Sequence, residues 1–255
     1  MKKTIISLLC VLSIVLVSVL FAGCGGVEKE YEYNTEIISV DNGPVEGEPE
    51  IDKIIGFVED TEQTFVELPF AVDDTGLEII AVGSYTGVYS DGADGSQAEN
   101  ALALVVKNTS DKVISYSTFT VEYASDKFAT FSPTNLPQNQ SSIVFANNTP
   151  VDYKDVKKFE CTDSMCVPTD ELPLLKDVVG VDFKDGEFII TNLTNDDLGD
   201  VYVRYKNSSE GNAYLGGITY SAMVQDLKGY ETKKVQAKNF DPETSVIIAV
   251  ENIEI

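Results

Sequence analysis

Hydrophobic and polar positions divide the chain into three regions with different patterns. From Thr4 to Ala22 nearly every residue is apolar, and Cys24 follows shortly after this run. The next region, to about residue 70, is rich in Asp and Glu and holds only short apolar pieces. From about Leu77 onward, apolar residues alternate with polar ones over short stretches separated by turn residues, and no long segment follows a 3.6-residue period. The pattern predicts an all-β body after an apolar leader and an acidic segment.

The alternating region contains two units with the same order of segments. In each, an apolar run ends on an asparagine and a polar turn, an aromatic-bearing strand follows, and a Leu-led turn comes later. These landmarks are Asn108, 119–123 and Leu136 in the first unit, and Asn192, 201–205 and Leu227 in the second. Turn residues recur by chance in β proteins, but three matched segments in one order favour an internal duplication. We expect two tandem β-sandwich domains.

The same patterns suggest where the parts of the chain begin and end. Between residues 27 and 74 there are fifteen Asp or Glu residues but only two lysines, Lys29 and Lys53. Repulsion between these acids and the sparse apolar content favour a flexible tether. The expected parts are a signal peptide (1–23), an acidic flexible tether (24–70), a first β domain (71–158), a linker (159–176) and a second β domain (177–255).

The two units resemble the short Ig-like domains of lipoproteins from Gram-positive, low-GC bacteria, of the FxLYD-like kind. The resemblance covers residues 77–150 and 180–250 and rests on the asparagine, aromatic-strand and Leu-led landmarks. It implies tandem Ig-like β-sandwiches. The function of such families is largely uncharacterised, and the resemblance implies adhesion or accessory binding rather than chemistry.

The leader is similar to bacterial lipoprotein signals. Lys2 and Lys3 form a short positive start, and Ala22 and Gly23 place small residues before Cys24. The resemblance implies that Cys24 becomes the mature N-terminus and carries diacylglycerol and palmitate. An uncleaved transmembrane anchor and a plain cleaved secretory signal are the alternatives. We expect a lipid anchor on the outer face of the cell membrane, or in the outer membrane of a Gram-negative host.

Charge and composition exclude several functional classes. Loss of Lys2 and Lys3 with the leader changes the formal charge from -24 to -26, which opposes nucleic-acid binding. The chain has no His, so Ser-His-Asp or Cys-His catalysis and His-ligated zinc are impossible. Its only arginine is Arg204, which rules out a multi-arginine clamp. We expect a protein that is not an enzyme and has no cofactor.

Two cysteines remain outside the leader, Cys161 and Cys166. In an exported protein, a pair this close predicts a local disulfide in the linker. A redox-active pair is the alternative, although the spacing is not Cys-x-x-Cys. A metal bound by both thiolates and Asp163 is a further alternative that lacks a second cysteine pair.

Acidic and aromatic residues supply the other candidate sites. Asp91 and Asp94 lie in a Gly-rich loop that is either a calcium site or a solvated loop, since the remaining ligands of an EF-hand are missing. Four tyrosines at strand spacing form either an exposed binding face or cross-strand packing pairs. They are Tyr202, Tyr205, Tyr214 and Tyr220.

These expectations combine into one hypothesis about function. We expect a surface-anchored, non-catalytic lipoprotein that binds an envelope protein or a glycan through an edge strand or the tyrosine face. A structural spacer or assembly component of the envelope is the first alternative. A calcium-dependent adhesin is the second.

Overall fold

The chain is all-β, as the alternating pattern predicts. The computed structural model describes residues 47–91, 96–147 and 149–253, and the only helices in this part are 3-10 turns at Ile51–Lys53 and Tyr153–Asp155. The strands of these residues are β1 (Phe57–Glu59), β2 (Phe70–Val72), β3 (Leu77–Val88), β4 (Gln97–Asn108), β5 (Val113–Ala124), β6 (Lys127–Phe131), β7 (Thr134–Leu136), β8 (Ser141–Phe145), β9 (Glu160–Thr169), β10 (Val179–Lys184), β11 (Glu187–Asn192), β12 (Asp200–Ser208), β13 (Tyr214–Val224), β14 (Thr232–Gln236) and β15 (Ser245–Ile253).

Strands β3 to β9 form a first sandwich. One layer pairs β3, β4 and β8 in that order, and the other pairs β6, β5 and β9. Alternate side chains from both layers, including Leu104, Phe119 and Phe131, meet in a buried core. Such burial of alternate apolar residues is what stabilises a two-layer β domain.

Strands β10 to β15 form a second sandwich with the same plan. Its layers have the orders β10–β11–β14 and β13–β12–β15, which repeat β3–β4–β8 and β6–β5–β9 strand for strand. Phe188, Val203 and Tyr205 lie in its core. The sequence segments that matched between the two units fall in or beside equivalent strands of the two sandwiches.

The two landmark asparagines close the same corner of each sandwich. Both are buried, and Nδ2 of each donates to the carbonyl four residues later and to a second carbonyl in or next to the Leu-led turn. Oδ1 of each accepts from the N–H and the hydroxyl of the residue two positions later. The partners are Lys112, Leu136 and Ser110 for Asn108, and Asp196, Lys228 and Thr194 for Asn192.

Part of the segment assigned to the tether belongs to the folded body. Ile54 and Phe57 are buried in one cluster with Ala103 and Val105 of β4, on the face of that strand opposite the first core. Both faces of β4 are therefore covered, and β1 pairs with β3. The expected flexible tether does not extend to residue 70. Residues 24–46, with Cys24 and the leader, lie outside the described residues.

The expected linker also contains a strand. β9 pairs with β5 and completes the first sandwich, so the boundary placed at residue 158 is too early. Most of β9 is exposed or only partly buried, because it lies at an edge of its layer, and its sequence therefore lacks clear hydrophobic alternation.

Candidate functional site between the two sandwiches

The two sandwiches are joined by a shared sheet. β8 of the first pairs in parallel with β13 of the second, with Ser142 opposite Tyr214 and Ile143 opposite Leu215. The pairing makes a continuous path β1–β3–β4–β8–β13–β12–β15. Ser142 Oγ also donates to the carbonyl of Gly216 at 2.7 Å. Tandem domains were expected, and the structure adds that a hydrogen-bonded ladder holds them together.

A large bulge in β13 lies beside this ladder. Tyr205 of β12 is opposite Tyr220 and Asn207 is opposite Leu215, so Lys206 alone faces residues 216–219. Gly216 has φ +90°, and a Cβ added there would lie 2.4 Å from Ser90 Oγ. The bulge thus needs glycine at this position. It also turns backbone N–H and C=O groups away from the ladder, and these groups need other partners.

Asp91 satisfies the N–H groups of the bulge. Its Oδ2 accepts from Gly217 N at 3.0 Å and from Phe145 N at 2.8 Å, and its Oδ1 accepts from Ile218 N at 3.0 Å. The carboxylate thereby bridges β8 of one sandwich and β13 of the other just beyond their last paired residues. Burial raises the pKa of the Asp91 carboxyl, and the three N–H donors and Lys206 oppose that rise.

Lys206 satisfies the carbonyl groups of the same bulge. Its Nζ donates to Gly217 O at 2.9 Å and to Ile218 O at 2.8 Å, and it lies 5.7 Å from the centre of the Tyr214 ring. Because C=O and N–H point in opposite directions across a trans peptide, Lys206 and Asp91 hold opposite sides of the Gly217–Ile218 peptide. Burial lowers the pKa of the Lys206 amine to about 7, and Asp91 opposes that fall. We call Asp91, Lys206 and the bulge between them the interdomain latch.

The hydrogen bonds of the latch oppose the expected calcium role of Asp91. Both of its oxygens accept backbone N–H groups, which leaves little capacity for a metal. Asp94 lies outside the described residues. Among those described, no group of three or more His, Cys, Asp or Glu side chains could hold a metal ion.

A polar cleft opens between the sandwiches next to the latch. It has a volume of about 470 Å³ and is lined from both sides. Thr134 and Thr219 meet across its floor, where their hydroxyl oxygens are 2.9 Å apart, and Asn135 Nδ2 donates to Thr219 Oγ1 at 3.2 Å. The other lining residues are Ser115, Thr169, Glu171, Leu172 and Pro173 from the first side and Arg204, Ile218 and Glu251 from the second.

The only arginine of the chain lies in this cleft. Arg204 Nε and Nη2 both lie 2.5 Å from Glu251 Oε1, and the guanidinium carbon is 5.7 Å from the centre of the Tyr202 ring. The ion pair is half-buried and keeps the guanidinium plane fixed in the wall. The cleft therefore offers hydroxyl, amide, carboxylate and guanidinium groups to a ligand. These groups suit hydrogen bonding to a polar, uncharged molecule.

The four tyrosines do not form one exposed face. Tyr205 and Tyr214 are buried, and Tyr205 stacks on its cross-strand neighbour Tyr220 with ring centres 5.7 Å apart. Tyr202 lies beside Arg204. The expectation of a binding face is wrong, and the alternative of cross-strand packing holds for Tyr205 and Tyr220. Arg204, Lys206 and the cleft residues were not identified as a site from the sequence.

The expected disulfide is absent. Cys161 and Cys166 are both free and lie in one extended strand, opposite Val121 and Ser117 of β5. Five positions along a strand span about 13–17 Å, whereas a disulfide needs Cα atoms about 4.4–6.8 Å apart. Both side chains pack against the first core, and burial raises the pKa of both thiols, which opposes the redox alternative.

Comparisons with known proteins supply no assignment for this site. No protein family, no curated protein and no solved structure matches the chain. Within the described residues, no helix has the length and apolar character required to cross a membrane.

Proposed function

We propose that the chain is a non-catalytic lipoprotein, anchored through Cys24 on the outer face of the membrane, that binds an envelope glycan or protein. The observation that carries the proposal is the polar cleft between two sandwiches that a shared sheet joins. A preformed cleft between domains is a common position for a binding site, and it requires no catalytic group.

The lining of the cleft favours a glycan over a protein. Thr134, Asn135 and Thr219 present hydroxyl and amide groups, and the apolar part of the lining is limited to Leu172, Pro173 and Ile218. Protein interfaces usually depend on buried aromatic anchors, and among the described residues no aromatic side chain lines this cleft. The strongly acidic chain also suits an uncharged ligand better than an anionic one.

The anchor is tested by a pair of cysteine substitutions in the leader. Cys24→Ala should abolish incorporation of a clickable fatty acid and leave an unprocessed precursor, because only this thiol is placed for acylation. Cys10→Ala, which removes the other leader cysteine, should label and process normally. Equal labelling of both variants would contradict the proposed anchor.

The cleft is tested by blocking it. Glu171→Arg places a long side chain in the cleft wall, and Glu243→Arg makes the same charge change at an exposed position elsewhere. With purified cell-wall glycan of the host as the probe, Glu171→Arg should weaken binding at least tenfold, whereas Glu243→Arg should match the unchanged protein. Equal binding by both variants would exclude the cleft as the binding site.

A structural spacer is the second candidate, and the shared sheet is the observation that favours it. A ladder plus the latch gives a stiff two-domain body, as a spacer would require. If neither glycan nor envelope protein binds any variant, while deletion of the gene changes envelope thickness, the spacer replaces the binding protein. The adhesin alternative has less support, since the Asp91 oxygens are already engaged.

A further inference from the structure

Strand β9 leaves one long edge of the first sandwich open. It pairs with β5 along nearly its full length of ten residues, and β5 is its one partner among the described strands. In the same part of the chain, residues 160–169 make no other backbone-to-backbone hydrogen bond, although the carbonyls of Met165 and Asp163 accept from the Ser117 hydroxyl and the Cys161 thiol. An edge of this length presents a row of N–H and C=O groups that another strand can pair with, except at Pro168, which has no N–H.

The equivalent edge of the second sandwich is partly occupied. β15 occupies the position of β9 in the repeated plan, and its Val250 N donates to Pro173 O at 2.7 Å. The segment between the sandwiches thus contacts that edge at Val250. Strand β14, which ends the opposite layer, carries Lys233 and Lys234, and lysine at an edge discourages further pairing. β9 contains neither lysine nor arginine.

Apolar side chains are exposed next to the open edge. Met165 and Val167 of β9 are 49% and 48% exposed, and Tyr116, directly opposite Val167 on β5, is 38% exposed. These three residues form a contiguous apolar strip on the outer face of the layer. An added strand would extend this strip by placing its own alternate side chains beside it.

The unpaired charges around β9 are negative, which suits a basic partner. Glu160 shares Lys158 with Glu122, whereas Asp163 on the strand and Glu171 beyond its end take part in no ion pair among the described residues. The whole chain carries a formal charge of -24, so it repels an acidic segment and attracts a basic one. The same charge opposes pairing of two copies through this edge.

We propose that the open edge of β9 accepts an extended, basic segment of a partner protein as an added antiparallel strand, with apolar residues of that segment against Met165 and Val167. Backbone pairing supplies the affinity, and the apolar strip and the acidic surroundings select the partner. Met165, Val167 and Asp163 do not line the cleft, although Thr169 at the end of β9 does, so the inference stands whether or not the cleft binds a glycan.

The test uses a ten-residue peptide of alternating valine and lysine, added to the full-length protein and followed by fluorescence anisotropy. A second peptide of the same sequence carries N-methyl groups on alternate amides, which keeps its charge but blocks strand pairing. Met165→Lys/Val167→Lys changes the proposed edge. Ile55→Lys/Val58→Lys makes the same change at residues that are 68% and 66% exposed. All four positions are exposed, so both variants should melt within about 2 °C of the parent, as surface substitutions usually do.

The plain peptide should bind the unchanged protein and the Ile55→Lys/Val58→Lys variant alike, and bind the Met165→Lys/Val167→Lys variant at least tenfold more weakly. The N-methylated peptide should bind each of the three proteins at least tenfold more weakly than the plain peptide binds the unchanged protein. If the two peptides bind the unchanged protein equally, charge alone explains the binding and the proposal is overturned. Equal binding of the plain peptide by the two variants would also overturn it. A dimer of the unchanged protein that disappears in the Met165→Lys/Val167→Lys variant would show that a second copy occupies the edge instead.

Discussion

Replacement of Asp91 by asparagine is the sharpest test of the interdomain latch. The change keeps the shape of the side chain but substitutes an NH₂ group for one carboxylate oxygen. At best, the remaining oxygen accepts from Phe145 N and Gly217 N, as Oδ2 does in the structure. The NH₂ group then faces the N–H of Ile218, which loses its acceptor. Lys206 loses the negative charge nearest to it.

The size of the effect follows from these two losses. A buried N–H without an acceptor costs about 1–3 kcal/mol. Removal of one partner from a buried charge pair in direct contact costs about 3–5 kcal/mol in typical cases, and the cost is smaller here because Asp91 and Lys206 interact across the Gly217–Ile218 peptide. Lys206 limits this cost, because its pKa of about 7 lets it lose its proton. We therefore expect a loss of about 2–4 kcal/mol in the free energy of unfolding, or about 5–15 °C in melting temperature for a body of this size.

Differential scanning calorimetry at pH 7 on the full-length chain measures the effect, with Asp126→Asn as the matched control. Asp126 is exposed in the turn after β5, has φ +57° and tolerates asparagine there, so its replacement should change the free energy of unfolding by less than about 0.5 kcal/mol. Lys206→Met in both backgrounds completes a double-mutant cycle. The loss in the double variant should be smaller than the sum of the single losses. If the Asp91→Asn and Asp126→Asn variants have the same melting temperature, the Asp91 carboxylate does not stabilise the contact between the sandwiches.

Three further predictions concern other parts of the molecule. Because the pKa of Lys206 is lower in the folded than in the unfolded state, the folded state binds fewer protons than the unfolded state above about pH 7. The free energy of unfolding should therefore rise from pH 7 to 9 by less than about 1.4 kcal/mol per pH unit, and the melting temperature should rise with it; a rise that persists in Lys206→Met would refute this. Alkylation without reductant, read by mass spectrometry, should label both Cys161 and Cys166, and a mass two units low with no label would restore the disulfide. Asn192→Ala should lower the free energy of unfolding, measured by chemical denaturation, by about 2–4 kcal/mol, since it removes the four hydrogen bonds of a buried side chain. Asn195→Ala, at an exposed position, should lower it by less than about 0.5 kcal/mol, and equal losses would show that the Asn192 side chain does not hold the corner.

The parts of the fold that sequence predicts are those encoded in local patterns. Leu102, Leu104 and Val106 alternate and face the first core, as expected of a half-buried strand. The asparagine corners were recognised as turns because their side chains bond to residues close in sequence. The full burial of β4 was missed, because the cover over Ala103 and Val105 comes from a segment whose acidic composition indicated a tether.

The candidate site was missed because it depends on contacts between distant residues. Asp91 bonds to residues 126 and 127 positions away, and that contact exists only because β8 and β13 pair in one register. Asp91 lies in a Gly-rich acidic loop, and by sequence alone such a loop resembles a solvated turn or a cation site. Lys206 gave one usable signal, a charged residue within an apolar and aromatic strand. A charge there needs a buried partner, but the sequence does not say which.

The latch and the cleft form one physical unit. Asp91 holds the N–H of Ile218, a residue of the cleft wall, and the next residue, Thr219, forms the contact with Thr134 across the cleft floor. The two walls belong to different sandwiches, so the width of the cleft depends on the angle at which those sandwiches meet. The shared ladder alone contains only two paired residues on each strand, which is a small contact for fixing the angle between two sandwiches. Asp91 and Lys206, with five hydrogen bonds to backbone groups, therefore supply much of the rigidity, and a rigid cleft loses less conformational entropy when it binds.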